Sequence, residues 1–565
     1  MRLKILRIFF LIFIALIISR LFYWQMLRGD FLAATADRQH LQEQLQPATR
    51  GQIYFSDGSI LASSQLVFNL YGLPKTLSEE QKKQVSTKLA KILANDETEE
   101  ISLKQSFSES LSQDLYWVQL KKNIDLTLKK KVEQSNLPGI GFQNTSTRFY
   151  PEGSSSAKLL GFVGSDARGE PTGYFGIEGF YDGELRGVPG AAISEKDVFG
   201  LPILIGRFLG NSPKDGKNLN LNLDRVVQYT VEKYLQESME RYGAKAASAV
   251  VMEPYTGAIL ALAAYPNYDP LRFSNFPKDY YKNAVVADQY EPGSTFKVLV
   301  MSAAINEDVV KSDTKCDICS GPVQVNDYSI RTWDNKYRPG LTMTDVIIHS
   351  DNTGMVFTSR KLGLDKFYAY LQKFGFDGST DIDLQDETAP TLRPKKNWRE
   401  IDLATTSFGQ GIAITPIQMV TAVSAIANGG NLMEPQVVKS IVDGNSTFEI
   451  KPRVIRNVIS ENAAQVVKEM MVKAVDEGEA KFAKPKGFKI AGKTGTAQIP
   501  VAGHYDPTKT IASFIGFAPA DHPKFVMLVR FDQPSASIFG AETAAPTFFK
   551  ITQDLFTYYK IAPEE

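Results

Sequence analysis

The sequence predicts an α+β fold in which helices flank an antiparallel sheet. Two apolar runs, Ser248–Met252 and Ala258–Ala264, lie on either side of a turn that contains proline and glycine, and they predict an antiparallel hairpin. The segments 404–428 and 461–476 have the apolar spacing of helices. Three further strand candidates follow towards the C-terminus: 489–491, 512–517 and 525–531. We therefore expect one compact domain over residues 216–565.

The first element is an apolar segment that follows several basic residues. The run Ile8–Ile18 is unbroken, and Tyr23 and Trp24 follow it. Counted from Ile8 to Leu27, the segment has roughly 20 residues, which is enough for one membrane span. Basic residues ahead of it predict that the N-terminus stays inside and that the rest is extracytoplasmic. A signal peptide cleaved at Ala34-Thr35-Ala36 is the alternative, but that site lies far beyond the apolar run, so residues 1–27 are expected to be an uncleaved anchor.

Residues 28–215 are expected to form a β-containing N-terminal module. Short strand-like pieces are interrupted by Gly, Ser and Pro, and the segment Glu79–Leu93 is predicted to be a helix. The acidic patch Asn95–Glu100 and the serine cluster Ser154–Ser156 are predicted to be loops. Directly after this module, Asp224 is expected to cap the first helix of the C-terminal domain.

Charge and composition exclude some classes of function. The chain has 565 residues, which predicts two or three domains, and its 63 Lys and Arg residues equal its 63 Asp and Glu residues. It therefore has no basic excess to concentrate nucleic acid, and 4 His and 2 Cys argue against a metal cluster. No metal and no cofactor are predicted. Cys316 and Cys319 have a spacing shared by disulfides, redox pairs and half of a zinc site; we expect a structural disulfide or two plain thiols, with a redox or metal role as the alternative.

A serine and a lysine, Ser294 and Lys297, form the first chemical motif. The same spacing occurs at 155–158 and 312–315, so the spacing alone is weak evidence. Here Glu291-Pro292-Gly293 precede the motif and the apolar run Val298–Met301 follows it, so Ser294 is expected to open a buried helix with Lys297 one turn further on. A desolvated lysine beside other cations can be neutral near pH 7 and can take the serine proton. A capping serine with a solvated lysine is the alternative for this motif alone.

The second motif is Ser350-Asp351-Asn352. It follows an apolar segment, so an ordinary turn is the alternative. As part of a site, Ser350 can relay a proton between Lys297 and a leaving amine. Asn352 can both donate to and accept from a substrate amide, whereas Asp351 is expected to point away.

The third motif is Lys493-Thr494-Gly495-Thr496, after a strand-like segment. We group Thr494, Gly495 and Thr496 as substrate-binding residues, because Gly495 leaves room for a peptide backbone alongside the strand. Lys493 supplies positive charge and Thr496 a hydroxyl for a substrate carboxylate. The backbone N–H groups of Ser294 and Thr496 can form an oxyanion hole. Alone, this motif can also be an ordinary strand end.

Together the three motifs supply the groups needed for serine acyl transfer on a peptide, and this combination is typical of penicillin-binding proteins and class A β-lactamases. The chain resembles the class B penicillin-binding proteins, the membrane-anchored monofunctional transpeptidases of bacterial wall synthesis. Further segments carry the resemblance: 20–25, 50–53, 57–58, 61–62, 148–151, 176–179, 256–261, 408–411 and 428–430.

The resemblance implies an N-terminal pedestal and a C-terminal penicillin-binding domain with a five-stranded sheet between helices. It implies that Ser294 attacks the D-Ala-D-Ala bond of a peptidoglycan stem peptide, that an amine of a second stem takes the acyl group, and that β-lactams acylate the same serine. Lys297, Ser350 and Lys493 would complete the catalytic set. Glycan polymerisation would come from a membrane partner, in elongation or division.

Three alternatives to a transpeptidase remain at this point. A serine β-lactamase would need a hydrolytic water, and the C-terminal domain contains no Glu-x-x-x-Asn of the kind that orients one in class A enzymes. A D,D-carboxypeptidase shares the acyl-enzyme and differs only in using water as acceptor. A non-catalytic scaffold or β-lactam sensor would not require the intact nucleophile and lysine.

Overall fold

The computed structural model describes residues 2–32, 35, 41–195, 209–501 and 504–564. In chain order the strands are β1 Leu41–Gln46, β2 Ile53–Tyr54, β3 Ile60–Gly72, β4 Val118–Ile124, β5 Ile140–Phe149, β6 Phe162–Ser165, β7 Pro171–Tyr174, β8 Gly190–Glu195, β9 Leu209–Asn211, β10 Asn218–Leu221, β11 Ala246–Met252, β12 Ile259–Tyr265, β13 Val323–Val325, β14 Tyr328–Ile330, β15 Asn431–Met433, β16 Val438–Asp443, β17 Ser446–Glu449, β18 Val454–Asn457, β19 Ala491–Val501, β20 His504–Ala518 and β21 Phe525–Asp532.

The same residues contain α-helices of widely different length. They are Arg2–Phe22, Glu79–Leu93, Glu97–Ser112, Leu126–Gln134, Ala157–Leu160, Gly176–Phe180, Asp182–Leu185, Arg225–Tyr242, Ala284–Ala287, Lys297–Asn306, Met343–Ile348, Asn352–Leu362, Leu364–Lys373, Glu400–Thr406, Pro416–Ala427, Glu461–Glu477 and Ala544–Tyr558. The fold divides into two compact units, one of Met1–Arg50 with Arg186–Gly216 and one of Gly51–Leu185 with Lys217–Glu565.

The first unit contains the apolar N-terminal helix. The helix Arg2–Phe22 continues into one π-helical turn, Tyr23–Leu27, and the 26 residues together are long and apolar enough to cross a membrane. This helix is consistent with the predicted single anchor. The alternative cleavage site includes Ala34 and Ala36, which lie outside the described residues. The unit also contains an antiparallel sheet in the order β1-β8-β9.

The second unit is built around a five-stranded sheet in the order β12-β11-β21-β20-β19, with every neighbouring pair antiparallel. The predicted hairpin is confirmed, because Ala249 of β11 pairs with Ala263 of β12. Successive residues of a strand point to opposite faces of a sheet. Accordingly Val251 packs in one apolar cluster, and Val250 packs in another.

Helices cover both faces of this sheet, which confirms the predicted α+β class. The helices Arg225–Tyr242 and Ala544–Tyr558 pack on one face, and Pro416–Ala427 and Glu461–Glu477 contribute to the cluster on the other. Asp224 caps the first of these helices, as predicted, by accepting hydrogen bonds from the next turn at 2.9 and 3.1 Å.

Three sequence-based assignments differ from the structure, and the smallest difference is the strand predicted over 489–491, which begins only at Ala491. The segment 404–428 is not one helix: Glu400–Thr406 ends before a loop in which Gly409 has φ +80°, and a new helix starts at Pro416. A glycine in this left-handed region breaks a helix. The acidic patch is a loop only at its start, because Asp96 caps the helix Glu97–Ser112 and accepts a hydrogen bond from Glu99 N at 2.8 Å. Acidic residues stabilise the first turn of a helix, so the charge that suggested a loop belongs to a helix start.

A second, seven-stranded sheet has the order β17-β16-β10-β2-β3-β4, with β5 also paired to β3. The β10–β2 pair is parallel. Ile53 and Leu219 of this sheet lie in the same apolar cluster as Val250 and Ile259 of the five-stranded sheet. The part of the N-terminal module that belongs to the second unit therefore shares one apolar core with the C-terminal domain.

Candidate active site

Ser294 lies in a tight turn at the start of a buried helix. Gly293–Phe296 is a 3₁₀ turn and the α-helix Lys297–Asn306 follows it, so the α-helix starts three residues later than the predicted start at Ser294. Gly293 has φ +56° and donates its N–H to Gly409 O at 3.0 Å. The Ser294 side chain is half-buried, whereas its neighbours Thr295 and Phe296 are fully buried. The turn thus leaves the hydroxyl accessible on an otherwise fixed backbone.

Lys297 is completely buried, and its amine connects the first motif to the second. Nζ donates to Ser350 O at 2.6 Å and to Asn352 Oδ1 at 2.7 Å, with Ser350 Oγ at 3.3 Å. An ammonium group can donate all three of these bonds, whereas a neutral amine has two protons and a lone pair. Since the contact with Ser350 Oγ is the longest, this hydroxyl is the partner that can reverse its bond and donate to a neutral Lys297.

The electrostatic surroundings favour that neutral form. Burial and, next, the positive charge of Lys493 lower the pKa of Lys297 well below its ordinary value, and Asp351 and Glu479 oppose this change. Burial also lowers the pKa of Lys493, again opposed by Glu479. Two buried lysines therefore lie in one site, and the Lys297 amine gives up its proton more easily than an exposed lysine does.

The second motif joins two short helices. Ser350 follows the helix Met343–Ile348 and has φ +55°, which turns the chain sharply. Asp351 is buried and caps the helix Asn352–Leu362, where it accepts from Gly354 N at 2.9 Å and from Thr353 Oγ1 at 2.6 Å. Its carboxylate is thus bonded to its own helix, in agreement with the expectation that it points away. The cap fixes Ser350 and Asn352 on either side of the Lys297 amine.

The third motif lies on β19, the edge strand of the five-stranded sheet. Lys493 Nζ donates to Thr494 Oγ1 at 3.1 Å and to Thr494 O at 3.2 Å. Thr496 Oγ1 accepts from Gly540 N at 3.1 Å. The edge position leaves one side of the strand backbone without a neighbouring strand of this sheet, and an extended peptide can pair with such an edge.

Gly495 is packed closely against the turn that carries Ser294 and against the next strand. A Cβ atom at this position would lie 2.8 Å from Thr295 Cγ2 and 3.1 Å from Pro292 O. Ser513 Oγ of β20 would lie nearer still, at 2.5 Å, so the space beside Gly495 is occupied by β20 and by the turn that carries the serine. The glycine allows β19 to approach that turn closely, which brings the third motif to the first.

The structure brings all eight predicted site residues into one region of the second unit, and sequence reasoning missed others. Glu479 contacts Thr494 Oγ1 at 3.4 Å, and Gly409 lies against Gly293. No sequence pattern marked Glu479, since it follows the end of an ordinary amphipathic helix. Phe408–Gly411 was noted only as a family-like segment.

Cys316 and Cys319 form a disulfide, and both are buried. Of the alternatives that their spacing allowed, the structure shows the disulfide. Among the residues that the structure describes, no group of three or more His, Cys, Asp or Glu side chains could hold a metal ion.

In a comparison with models of protein families, the model of the penicillin binding protein transpeptidase domain matches residues 247–553. The chain belongs to the penicillin-binding protein transpeptidase family. The model of the penicillin-binding protein dimerisation domain matches residues 45–221 of this penicillin-binding protein. The resemblance to class B penicillin-binding proteins is thereby confirmed.

Relatives of this penicillin-binding protein match almost its whole length. Stage V sporulation protein D of Bacillus subtilis is 32% identical over 100% of this chain and 86% of its own. Peptidoglycan D,D-transpeptidase FtsI of Escherichia coli is 29% identical over 98% of this chain and 91% of its own. Among solved structures, penicillin binding protein 2X of Streptococcus thermophilus has a TM-score of 0.76 and 26% identity, and covers 92% of this chain and 80% of its own. Penicillin binding protein 3 of Mycobacterium tuberculosis, complexed with aztreonam, has a TM-score of 0.71 and 25% identity, and covers 92% of this chain and 98% of its own.

Proposed function

We propose that the chain is a peptidoglycan D,D-transpeptidase that cross-links stem peptides through an acyl-enzyme on Ser294. The observation that carries this proposal is the buried Lys297 amine, which bonds to Ser350 and Asn352 and lies one residue after the turn of Ser294. Relatives that match nearly the whole chain are named peptidoglycan D,D-transpeptidase. An amine of lowered pKa in this position is suited to activate a serine for attack on an amide.

The reaction has two acyl-transfer steps. Lys297 takes the proton of Ser294 Oγ, the oxygen attacks the carbonyl carbon of the penultimate D-Ala, and the peptide C–N bond breaks. The proton passes through Ser350 to the leaving nitrogen, and D-alanine departs. An amine of a second stem peptide then attacks the ester carbonyl, forms the new amide and returns a proton to Ser294. A β-lactam follows the first step, but its amine stays attached, so the ester persists.

The other predicted residues hold the substrate in this scheme. Asn352 accepts from and donates to a stem-peptide amide, and the edge of β19 pairs with the peptide backbone. Lys493, Thr494 and Thr496 present a cation and two hydroxyls to the terminal carboxylate. The backbone N–H groups of Ser294 and Thr496 stabilise the oxyanion.

The chain arrangement fits wall synthesis outside the cytoplasmic membrane. We assign residues 1–27 to a cytoplasmic tip and membrane anchor, 28–215 to a pedestal and 216–565 to the transpeptidase domain. Basic residues before the apolar helix favour an N-terminus that stays inside. In this topology the active site faces the wall, and a separate membrane polymerase supplies the glycan strands.

Labelling with a fluorescent penicillin tests the nucleophile. Ser294→Ala is expected to abolish labelling, because no other hydroxyl occupies the reactive position in the turn. Ser302→Ala is the matched control: Ser302 is buried in the following helix and donates to Leu299 O at 2.7 Å. The control should label normally, and labelling of the Ser294 variant would refute the assignment.

The lifetime of the penicilloyl-enzyme separates a transpeptidase from a β-lactamase. We expect hours, since acyl transfer to water is not promoted, whereas turnover within seconds would identify a hydrolase. Incubation with stem peptides then distinguishes cross-linked dimers from the shortened peptides that a D,D-carboxypeptidase releases.

A further inference from the structure

One acidic side chain lies beside the third motif and has no part in the proposed reaction. Glu479 follows the helix Glu461–Glu477 and is exposed to solvent. Its Oε2 atom accepts a hydrogen bond from Thr494 Oγ1 at 3.4 Å. Thr494 Oγ1 in turn accepts from Lys493 Nζ at 3.1 Å. The three groups form a chain from a buried cation through a hydroxyl to an exposed carboxylate.

This chain uses the only proton that the Thr494 hydroxyl can donate. While Thr494 donates to Glu479, it has no proton for another acceptor. The contact is long, so an acceptor that arrives with better geometry can replace it. In the proposed reaction such an acceptor is the terminal carboxylate of the ligand.

Charge adds to this competition. Glu479 is the side chain whose negative charge opposes the effect of burial on Lys493, and it also acts on Lys297. A ligand carboxylate that binds Lys493 therefore comes close to a second negative charge. Like charges that come close at a protein surface repel each other, and solvent weakens this repulsion less where the site is partly enclosed.

We propose that Glu479 is a positioning residue that competes with the terminal carboxylate of the ligand for Thr494 and Lys493, and that it slows acylation by ligands anionic at this end. This inference rests on the proposed function. It makes Glu479 a determinant of selectivity: a ligand with a neutral end competes only for the Thr494 proton, whereas a ligand with a carboxylate is also repelled by the charge of Glu479.

The test compares matched ligands on matched variants of the full-length chain in detergent. Acylation of Ser294 is followed with two thiolester analogues of the stem peptide, one ending in a carboxylate and one in a carboxamide. Glu479→Gln should raise the second-order rate constant for the carboxylate ligand about tenfold, as removal of one close like-charge pair predicts. The rate for the carboxamide should rise much less, because its neutral end gains only the freed Thr494 proton and has no like charge to lose. Glu477→Gln removes the same charge from the exposed last residue of the helix that precedes Glu479, and it should change neither rate.

Two further measurements separate competition from a structural effect. The gain for the carboxylate ligand should shrink as salt is added, because screening weakens the repulsion in the parent chain. Glu479→Asp keeps the charge and should keep most of the discrimination. Melting temperatures of the variants should match that of the parent chain, since Glu479 is exposed.

Several results would overturn the inference. Equal gains for both ligands would mean that the substitution acts on the fold of the site and not on ligand charge. Unchanged acylation with reduced transfer to a cationic acceptor amine would instead assign Glu479 to acceptor binding. Failure of the proposed function looks different, because the parent chain itself would then not be acylated at Ser294 by either ligand or by penicillin.

Discussion

At the scale of single residues, the state of the Lys297 amine decides whether the site can work. Its hydrogen bonds to Ser350 and Asn352 hold it in place, while burial and the Lys493 charge destabilise its protonated form and lower its pKa. The sequence could place Lys297 beside Ser294, because three positions are one helical turn. It could not show that the amine is fully enclosed, since burial is created by segments more than fifty residues away.

Lys297→Met should abolish acylation and leave the fold largely intact. Methionine fills a similar volume but cannot accept a proton, and general-base catalysis contributes roughly 10²–10⁴-fold. Penicillin labelling rates measure the loss. Lys158→Met is the matched control, since Lys158 is also buried and donates to Tyr280 O at 2.6 Å and Lys282 O at 3.1 Å. That variant should lose stability but keep its labelling rate; normal labelling of Lys297→Met would remove the general-base role.

The rate of acylation should follow a bell-shaped pH profile. Lys297 must be neutral to accept the serine proton, so the rate rises as pH increases through its lowered pKa. Lys493 must be charged to hold a carboxylate, so the rate falls as pH increases through its own lowered pKa. Because Lys297 has the stronger depression, an optimum lies between the two values. Second-order acylation constants across pH test this; a rate that begins to rise only near pH 10, where exposed lysine titrates, would contradict it.

At the scale of elements, close backbone contacts bring the motifs together. The sequence predicted the hairpin β11–β12 from two apolar runs around a turn, and a helix over 461–476 from its apolar spacing. It could not predict that the loop after Glu400–Thr406 lies on the nucleophile turn, because that contact is between backbone atoms. Gly409 has no side chain whose chemistry would predict this contact, so the contact is seen only in the folded chain.

Gly409→Ala should impair acylation more than it impairs folding. Its Cβ would lie 2.1 Å from Gly293 O, and φ +80° is unfavourable for alanine, so the nucleophile turn must move. Misplacement by about 1 Å can cost 10²-fold in rate. Gly378→Ala is the control, because nothing lies within 4 Å of that Cβ. Labelling rates and melting temperatures of both variants check this; a Gly409→Ala variant with the parent rate would show that the turn tolerates the shift.

At the scale of the whole molecule, three segments of the N-terminal module that resemble the family, 50–53, 148–151 and 176–179, meet at one buried ion pair in the second unit. Arg148 Nε bonds to Glu178 Oε1 at 2.6 Å, and Arg148 Nη1 donates to Gly51 O at 2.6 Å. The sequence showed these segments only as separate matches. Their convergence, and the apolar cluster that joins Ile53 to Val250, depends on long-range packing that local patterns do not encode.

Glu178→Gln should therefore destabilise the N-terminal part of this unit and the active site together. Removing one partner leaves the Arg148 charge buried without compensation, which costs about 3–5 kcal/mol. Glu152→Gln is the control, because the Glu152–Arg225 pair, at 2.6 Å, is partly exposed and such pairs contribute at most about 1 kcal/mol. Urea unfolding followed both by fluorescence and by residual penicillin labelling should show coincident transitions, shifted to lower urea only in Glu178→Gln. If labelling survives while the fluorescence transition shifts, the two parts unfold independently and the shared core does not couple them.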